Sequence, residues 1–337
     1  MNTSNKKTAV ILGNVGTPDE PEVGAVRRYL FQFLNDRRVI DLPWLAQKFL
    51  VNVIIVPFRA PNSTKLYKVL WTPEGSPLMT ISNEAKEKLQ EKLGKNYEVF
   101  VGMRYQNPSL KGVLQTIKEK RFDKIVVLPM FPQYASSTTG TISQLVNTEI
   151  ANWNVIPELS IISQFYDHPG FVKAFARQIQ KYNPEEYDHI IFSYHGLPFR
   201  QTDKVHPSVK TINCTCEEEM PPHGRYCYKA TCYETTRLLA KELNLPGEKY
   251  SVAFQSRLTK NWLKPFSDEE VKRLAQEGKK QVLIAAPAFI ADCLETIVEI
   301  GVEYQEIFEE HGGEKIQLVD SLNANDDWID TLQQIIT

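Results

Sequence analysis

Four of the five cysteines in this chain of 337 residues fall within the stretch NCTCEEEMPPHGRYCYKATC, at Cys214, Cys216, Cys227 and Cys232. Thiols this dense on a loop with Pro221, Pro222 and Gly224 can close as disulfides, enclose a zinc ion or hold an iron–sulfur cluster. Their spacing, C-x-C-x10-C-x4-C, is not the paired C-x2-C pattern of common zinc ribbons. A second group with chemical capacity is His195 in SYHGLP, where Gly196 and Pro198 enforce a turn that presents the ring. A third is the row Glu295, Glu299, Glu303, spaced i, i+4, i+8 on one helix with Asp292 at its head. Leu294, Ile297, Val298 and Val302 form the expected buried stripe of that helix, so the carboxylates run along its edge. Carboxylates in such a row raise one another's pKa and can carry protons or a divalent cation; the plainer role is a solvated flank, with Asp292 as a cap.

Something must position these groups. Eight short Val/Ile-rich runs bounded by turn residues lie at 9–16, 97–105, 124–131, 159–166, 189–196, 250–256, 281–289 and 315–322. They are near-continuously apolar, as strands covered on both faces are. Helical patterns such as SNEAKEKLQEKLG and SDEEVKRLAQEG alternate with them, several with Ser or Asp caps. The alternation predicts an α/β fold of two similar Rossmann-like lobes, 1–166 and 167–337, each with a four-stranded parallel sheet flanked by helices and with a cleft between them. The cysteine-rich insert at 213–232 falls in the second lobe. Ligands of such sheets bind beyond the carboxyl ends of strands, where His195 and the acidic helix both follow apolar runs.

Composition narrows the classes. A net charge of −2 with no basic block gives no surface for nucleic acid. The amino terminus reads as a first strand rather than a signal peptide, and WLAQKFLVNVIIVPF is interrupted by Gln47, Lys48 and Asn52, so no spanning helix is expected. The expectation is a cytoplasmic protein with reduced thiols, which puts metal ahead of disulfides in the cysteine segment. Other strand ends carry specific strings: Tyr134 and Ser136–Thr139 in LPMFPQYASSTTGT, Arg104 and Tyr105 in VGMRYQNP, and Gln255, Ser256, Arg257 and Trp262 in FQSRLTKNWL. LGNVGTP does not match G-x-G-x-x-G, so a dinucleotide site is unsupported.

Taken in order, NVGTP, EGSPL, GMRY, PQYASSTTG, FSYHGLP, FQSRL, NWLKP, PAFIADCLETIVEI and DSLNAN resemble the ferrochelatase family across nearly the whole chain. The resemblance implies the chelatase fold, with a porphyrin cleft between the lobes. It also implies insertion of Fe(II) into protoporphyrin IX with release of two protons, the last step of heme biosynthesis. Coproporphyrin III, or another tetrapyrrole for a related chelatase, is the alternative substrate. By the same resemblance, His195 is the base or iron partner with Glu295 opposite, Glu299, Glu303 and Asp292 continue an acidic path, and Val15, Arg59, Tyr67, Ser76, Tyr134 and Trp262 contact porphyrin. Val15 stands where coproporphyrin-using relatives tend to have Tyr, which favours protoporphyrin. Cys293 replaces a His found in many relatives, and Ser136 replaces the mid-chain cluster cysteine of animal relatives. Similarity to bacterial members with an internal cysteine insert implies a [2Fe-2S] cluster on Cys214, Cys216, Cys227 and Cys232, with zinc the lesser expectation. The segment 44–59, near Arg59, is expected either as a core helix or as a surface resting peripherally on a membrane.

Overall fold

The computed structural model describes residues 6–206 and 209–337. All eight apolar runs are strands: β1 Thr8–Asn14, β2 Tyr97–Met103, β3 Lys124–Pro129, β4 Glu158–Ile161, β5 His189–His195, β6 Tyr250–Gln255, β7 Gln281–Ala285 and β8 Lys315–Leu318. They form two four-stranded sheets of orders β2-β1-β3-β4 and β6-β5-β7-β8, every neighbouring pair parallel. Most strands stop two to five residues before their apolar run does, because the last residues leave the ladder to form the loops that carry polar groups. In each sheet the order reverses beside the first strand in sequence, making the carboxyl ends of β1/β3 and of β5/β7 the switch points where such folds bind ligands.

The chain divides into two compact units. One comprises residues 1–131, 135–164 and 324–337, and the other 132–134 and 165–323. This differs from a boundary at residue 166 at the carboxyl end. Helix Asp326–Ile336 packs on helix Pro77–Leu93, where Lys88 and Lys92 pair with Asp326 and Asp330, and so joins the first unit. The first core gathers Ala9, Ile11, Leu110, Leu114, Ile125 and Val127 from sheet and helices, and the second gathers Ile191, Ala253, Val271, Val282, Ile284 and Phe308.

Two helices depart from their sequence patterns. The helix around Glu295 is π-wound over Glu295–Tyr304, with bonds spanning five residues rather than four. The wider turn moves the buried positions to Thr296, Val298, Ile300 and Tyr304, while Leu294 and Ile297 are half-buried and Val302 is exposed. Of the expected stripe, only Val298 is fully buried. The segment Trp44–Leu70 also has a π-wound middle, Leu50–Ile55, and its polarity is inverted. The residues that interrupt its apolar run face inward: Gln47 donates to the Leu34 carbonyl, Lys48 to Asn35 Oδ1, and Asn52 accepts from Asn35 Nδ2. Trp44, Leu45, Phe49, Val53, Ile54 and Phe58 are exposed instead. Among the described residues, no helix is long and apolar enough to cross a membrane.

Candidate active site and cysteine centre

In the second unit, β5 delivers His195 to the switch point as its final residue, half-buried. His195 Nδ1 lies 2.7 Å from the Gly196 carbonyl. A carbonyl only accepts, so Nδ1 carries the hydrogen and the neutral ring leaves its lone pair on Nε2. Trp262 and Phe289 flank the imidazole, each with its ring centre 6.5 Å away. Trp262 is held there by backbone pairing of the loop after β5 with NWLKP, through Leu263 N to Leu197 O and Phe199 N to Asn261 O. Gly196 makes the turn possible, because a Cβ there would lie 2.8 Å from the Gln255 carbonyl that its own N–H donates to.

Gln255 pairs in register with His195 and is fully buried. Its Oε1 accepts from Ser193, and its Nε2 donates to the Glu295 carbonyl (3.0 Å) and to Glu299 (3.2 Å). One side chain thus joins the His195 strand to the acidic helix. Glu299 also accepts from the Ser256 N–H (2.8 Å), the Ser256 hydroxyl (2.5 Å) and the Tyr304 hydroxyl (3.1 Å). Ser256 takes φ +61°, a left-handed conformation that aims both of its donors at one carboxylate. Together with Gln255 these donors fix the position of the Glu299 carboxyl group. Glu303, one step along the row and exposed, has its pKa raised by desolvation and by the charges of Glu299 and Glu306. Asp292 lies apart in character: it is buried and accepts from Asn323 Nδ2, Ser321 N and Thr296 Oγ1, binding the DSLNAN loop to the head of the helix. Arg257 is taken up by a bidentate pair with Asp268. Tyr134 is half-buried in the same unit.

The remaining expected porphyrin residues lie in the first unit. Val15 is half-buried just past β1, and the neighbouring Gly16, at φ +104°, admits no side chain because a Cβ would sit 2.1 Å from the Tyr105 carbonyl. Ser76 is buried, its hydroxyl 3.0 Å from that of Thr17, so it links EGSPL to NVGTP. Tyr67 is buried edge-on against Tyr29, and Arg59 is exposed. Arg104 and Tyr105 converge on Asp36 with Thr141. Burial pushes the Asp36 carboxyl up, but donation from Thr141, the Arg38 amide, Arg104 and Tyr105 outweighs it and holds the group below its ordinary value.

The cysteines are gathered at the amino end of helix Tyr228–Glu242. Cys216 and Cys227 are fully buried and share a hydrogen bond, and Cys214 bonds Cys216. Hydrogen bonding from Cys216, with help from the Ala230 amide and His206, lowers the pKa of the Cys227 thiol against the opposing effect of burial. Cys232, five residues further along, is fully buried with the Tyr228 hydroxyl as partner, and burial raises its pKa. His206 Nε2 lies 3.1 Å from the Cys227 sulfur, and with Cys216 these ligand atoms fall within 4.8 Å of one another. His206 lies eight positions before the first cysteine, outside the cysteine-rich stretch, and only folding brings it to the sulfurs. Gln255 and Ser256 were visible in FQSRL, but nothing in the string marked them as partners of Glu299.

The ferrochelatase family model matches residues 7–337. A ferrochelatase of Coxiella burnetii is 40% identical over 337 residues, covering 98% of this chain and 94% of its own. One from Legionella pneumophila is 40% identical over 334 residues, covering 98% of each. Among solved structures, SirB from Bacillus subtilis with Fe3+ aligns at TM-score 0.55 and 11% identity, covering 98% of this chain and 96% of its own. A multi-domain Deinococcus radiodurans protein described as similar to chelatases aligns at 0.51 and 11%, over 98% of this chain and 55% of its own. The two-lobed α/β architecture is therefore the chelatase fold, and the chain belongs to the ferrochelatase family, the enzymes that insert metal into porphyrin in heme biosynthesis.

Proposed function

We propose that this enzyme inserts Fe(II) into protoporphyrin IX, with His195 Nε2 accepting protons from the pyrrole nitrogens and the acidic helix serving the opposite traffic of iron or protons. The observation that carries the assignment is the His195 Nδ1–Gly196 carbonyl bond, which leaves Nε2 as the free base at the switch point. Trp262 and Phe289 supply flat apolar walls suited to a macrocycle. Glu295 is the partner closest in role to His195. Glu299, bound by four donors, is the fixed member of the row, and exposed Glu303, with its raised pKa, is the proton-exchanging one. Arg59 is exposed and free to meet a propionate, whereas buried Tyr67 and Ser76 support the loops around Val15. Anaerobic metalation with Fe(II), followed by loss of porphyrin fluorescence, tests the reading. Faster turnover of coproporphyrin III than of protoporphyrin IX would overturn the substrate assignment, and a Val15→Tyr variant is expected to move preference toward coproporphyrin.

The exposed ridge Trp44, Leu45, Phe49, Val53, Ile54 and Phe58 supports peripheral contact of a cytoplasmic protein with a membrane surface, from which an apolar porphyrin is received. Flotation with anionic vesicles, lost in a Trp44→Ser, Phe49→Ser, Phe58→Ser variant, is the expected result.

The cysteine centre fits a [2Fe-2S] cluster. Four free thiols stand on one loop and the adjoining helix turn; Cys216 is hydrogen-bonded to both Cys214 and Cys227, and Cys216, Cys227 and Cys232 are fully buried. Cys214, Cys216, Cys227 and Cys232 would hold the cluster, which supplies one-electron chemistry when bound. Iron and acid-labile sulfide in anaerobically purified protein are expected; zinc without sulfide would sink this reading.

A further inference from the structure

Beside the four cysteines stand two further groups, Lys229 and His206, within reach of their sulfurs. Lys229 is only 6% exposed, an unusual place for an ammonium, and its nearest counter-ion, Glu217 at 2.8 Å, is half in solvent. Its Nζ also lies 3.8 Å from the Cys214 sulfur. His206 approaches a different sulfur, that of Cys227, at 3.1 Å through Nε2. Its Nδ1 is buried without a partner among the described residues, and the ring of His223 packs edge-on 4.8 Å away. The 3.1 Å approach of Nε2 gives His206 the geometry of a donor toward the Cys227 sulfur.

A cluster held by four thiolates, three of them buried, is an anion that gains a further negative charge on reduction. Donors and cations at its sulfurs therefore favour the reduced state. We propose that His206 and Lys229 are positioning residues of the cysteine centre, His206 donating to Cys227 and Lys229 to Cys214, and that together they set the one-electron potential of the bound cluster. The inference rests on the cluster reading above and adds to it the residues that tune the group without ligating it. Lys229 addresses Cys214, whereas His206 addresses Cys227 and, at 4.0 Å, Cys216, so each is expected to act separately.

The test uses full-length protein reconstituted anaerobically with ferrous iron and sulfide. Mediated dithionite titration, followed by electron paramagnetic resonance, reads the midpoint. His206→Ala and Lys229→Met are each expected to retain the cluster and shift the reduction equilibrium about tenfold toward the oxidised form, ~59 mV for a one-electron couple. His206→Gln and Lys229→Arg, which keep a donor or a charge, are expected to restore most of the shift. Midpoints unchanged in both truncated variants overturn the proposal while leaving the cluster reading intact. Loss of iron and sulfide from His206→Ala, with nitrogen hyperfine coupling of a bound imidazole in the unsubstituted protein, makes His206 a ligand and also overturns it. If the unsubstituted protein takes up iron without sulfide, the cluster reading itself fails and the inference falls with it.

Discussion

The two units run the same sheet order, and the first strand of each ends in a matching turn: NVGTP after β1 and YHGLP after β5. In both, a residue following the second strand reaches the segment that follows the third. Arg104 donates to Thr141 just past the π-wound Ser136–Gly140, and Ser256 donates to Glu299 within the π-wound Glu295–Tyr304. The difference lies in side chains: His195 stands where the first unit has Val15, and Glu299 where the polar anchor of the first unit is a threonine. Topology supplies two equivalent switch points, and among the described residues the turn after β5 carries an imidazole where the turn after β1 carries Val15.

Substitutions can break this comparison. The largest effect is expected from His195→Ala, a loss of roughly 100-fold or more in the metalation rate with porphyrin binding retained, whereas Val15→Ala should change the rate little. Stopped-flow metalation alongside porphyrin fluorescence titration separates the two. Glu299→Gln comes next. Four donors aimed at a carboxylate would meet an amide, and urea unfolding is expected to show a loss of about 2 to 3 kcal/mol.

Acid should distinguish the units as well. Desolvation lowers the pKa of buried His189 from 6.5 to about 4, so between those values the unfolded chain binds the proton and the folded one does not. Stability is present above pH 6.5 and declines as pH falls toward 4, by up to ~1.4 kcal/mol per pH unit. A His189→Gln variant should lose that slope in urea midpoints measured across the window. Asp36 works lower: its folded pKa lies under 3.8, so its contribution is complete above that value and lost only as pH falls through the folded one. The smallest expected effect is from Thr17→Val, which removes the hydroxyl pair with Ser76 for about 1 kcal/mol.

Periodicity made the strands legible, since parallel strands covered on both faces must be apolar throughout, and the eight runs all became strands. His195 and the glutamate row were legible as residue types at strand ends. The partners of Glu299 were not, because Gln255 and Ser256 are local in sequence to β6 and meet the helix only after the sheet forms. Segment 44–58 shows the limit of pattern reading: its polar residues read as interruptions of an apolar run too broken to span a bilayer, yet they are the inward face.

The sequence by itself determined two parallel sheets, the ordered motifs of the family and the crowding of four thiols, because composition, period and spacing are local properties. Tertiary structure alone decided that Gln255 ties His195 to the acidic helix, that the helix Asp326–Ile336 returns to the first unit, and that His206 and Lys229 stand at the cysteine sulfurs. Each of these depends on chain segments far apart in sequence competing for the same buried space, and that competition is settled only by packing.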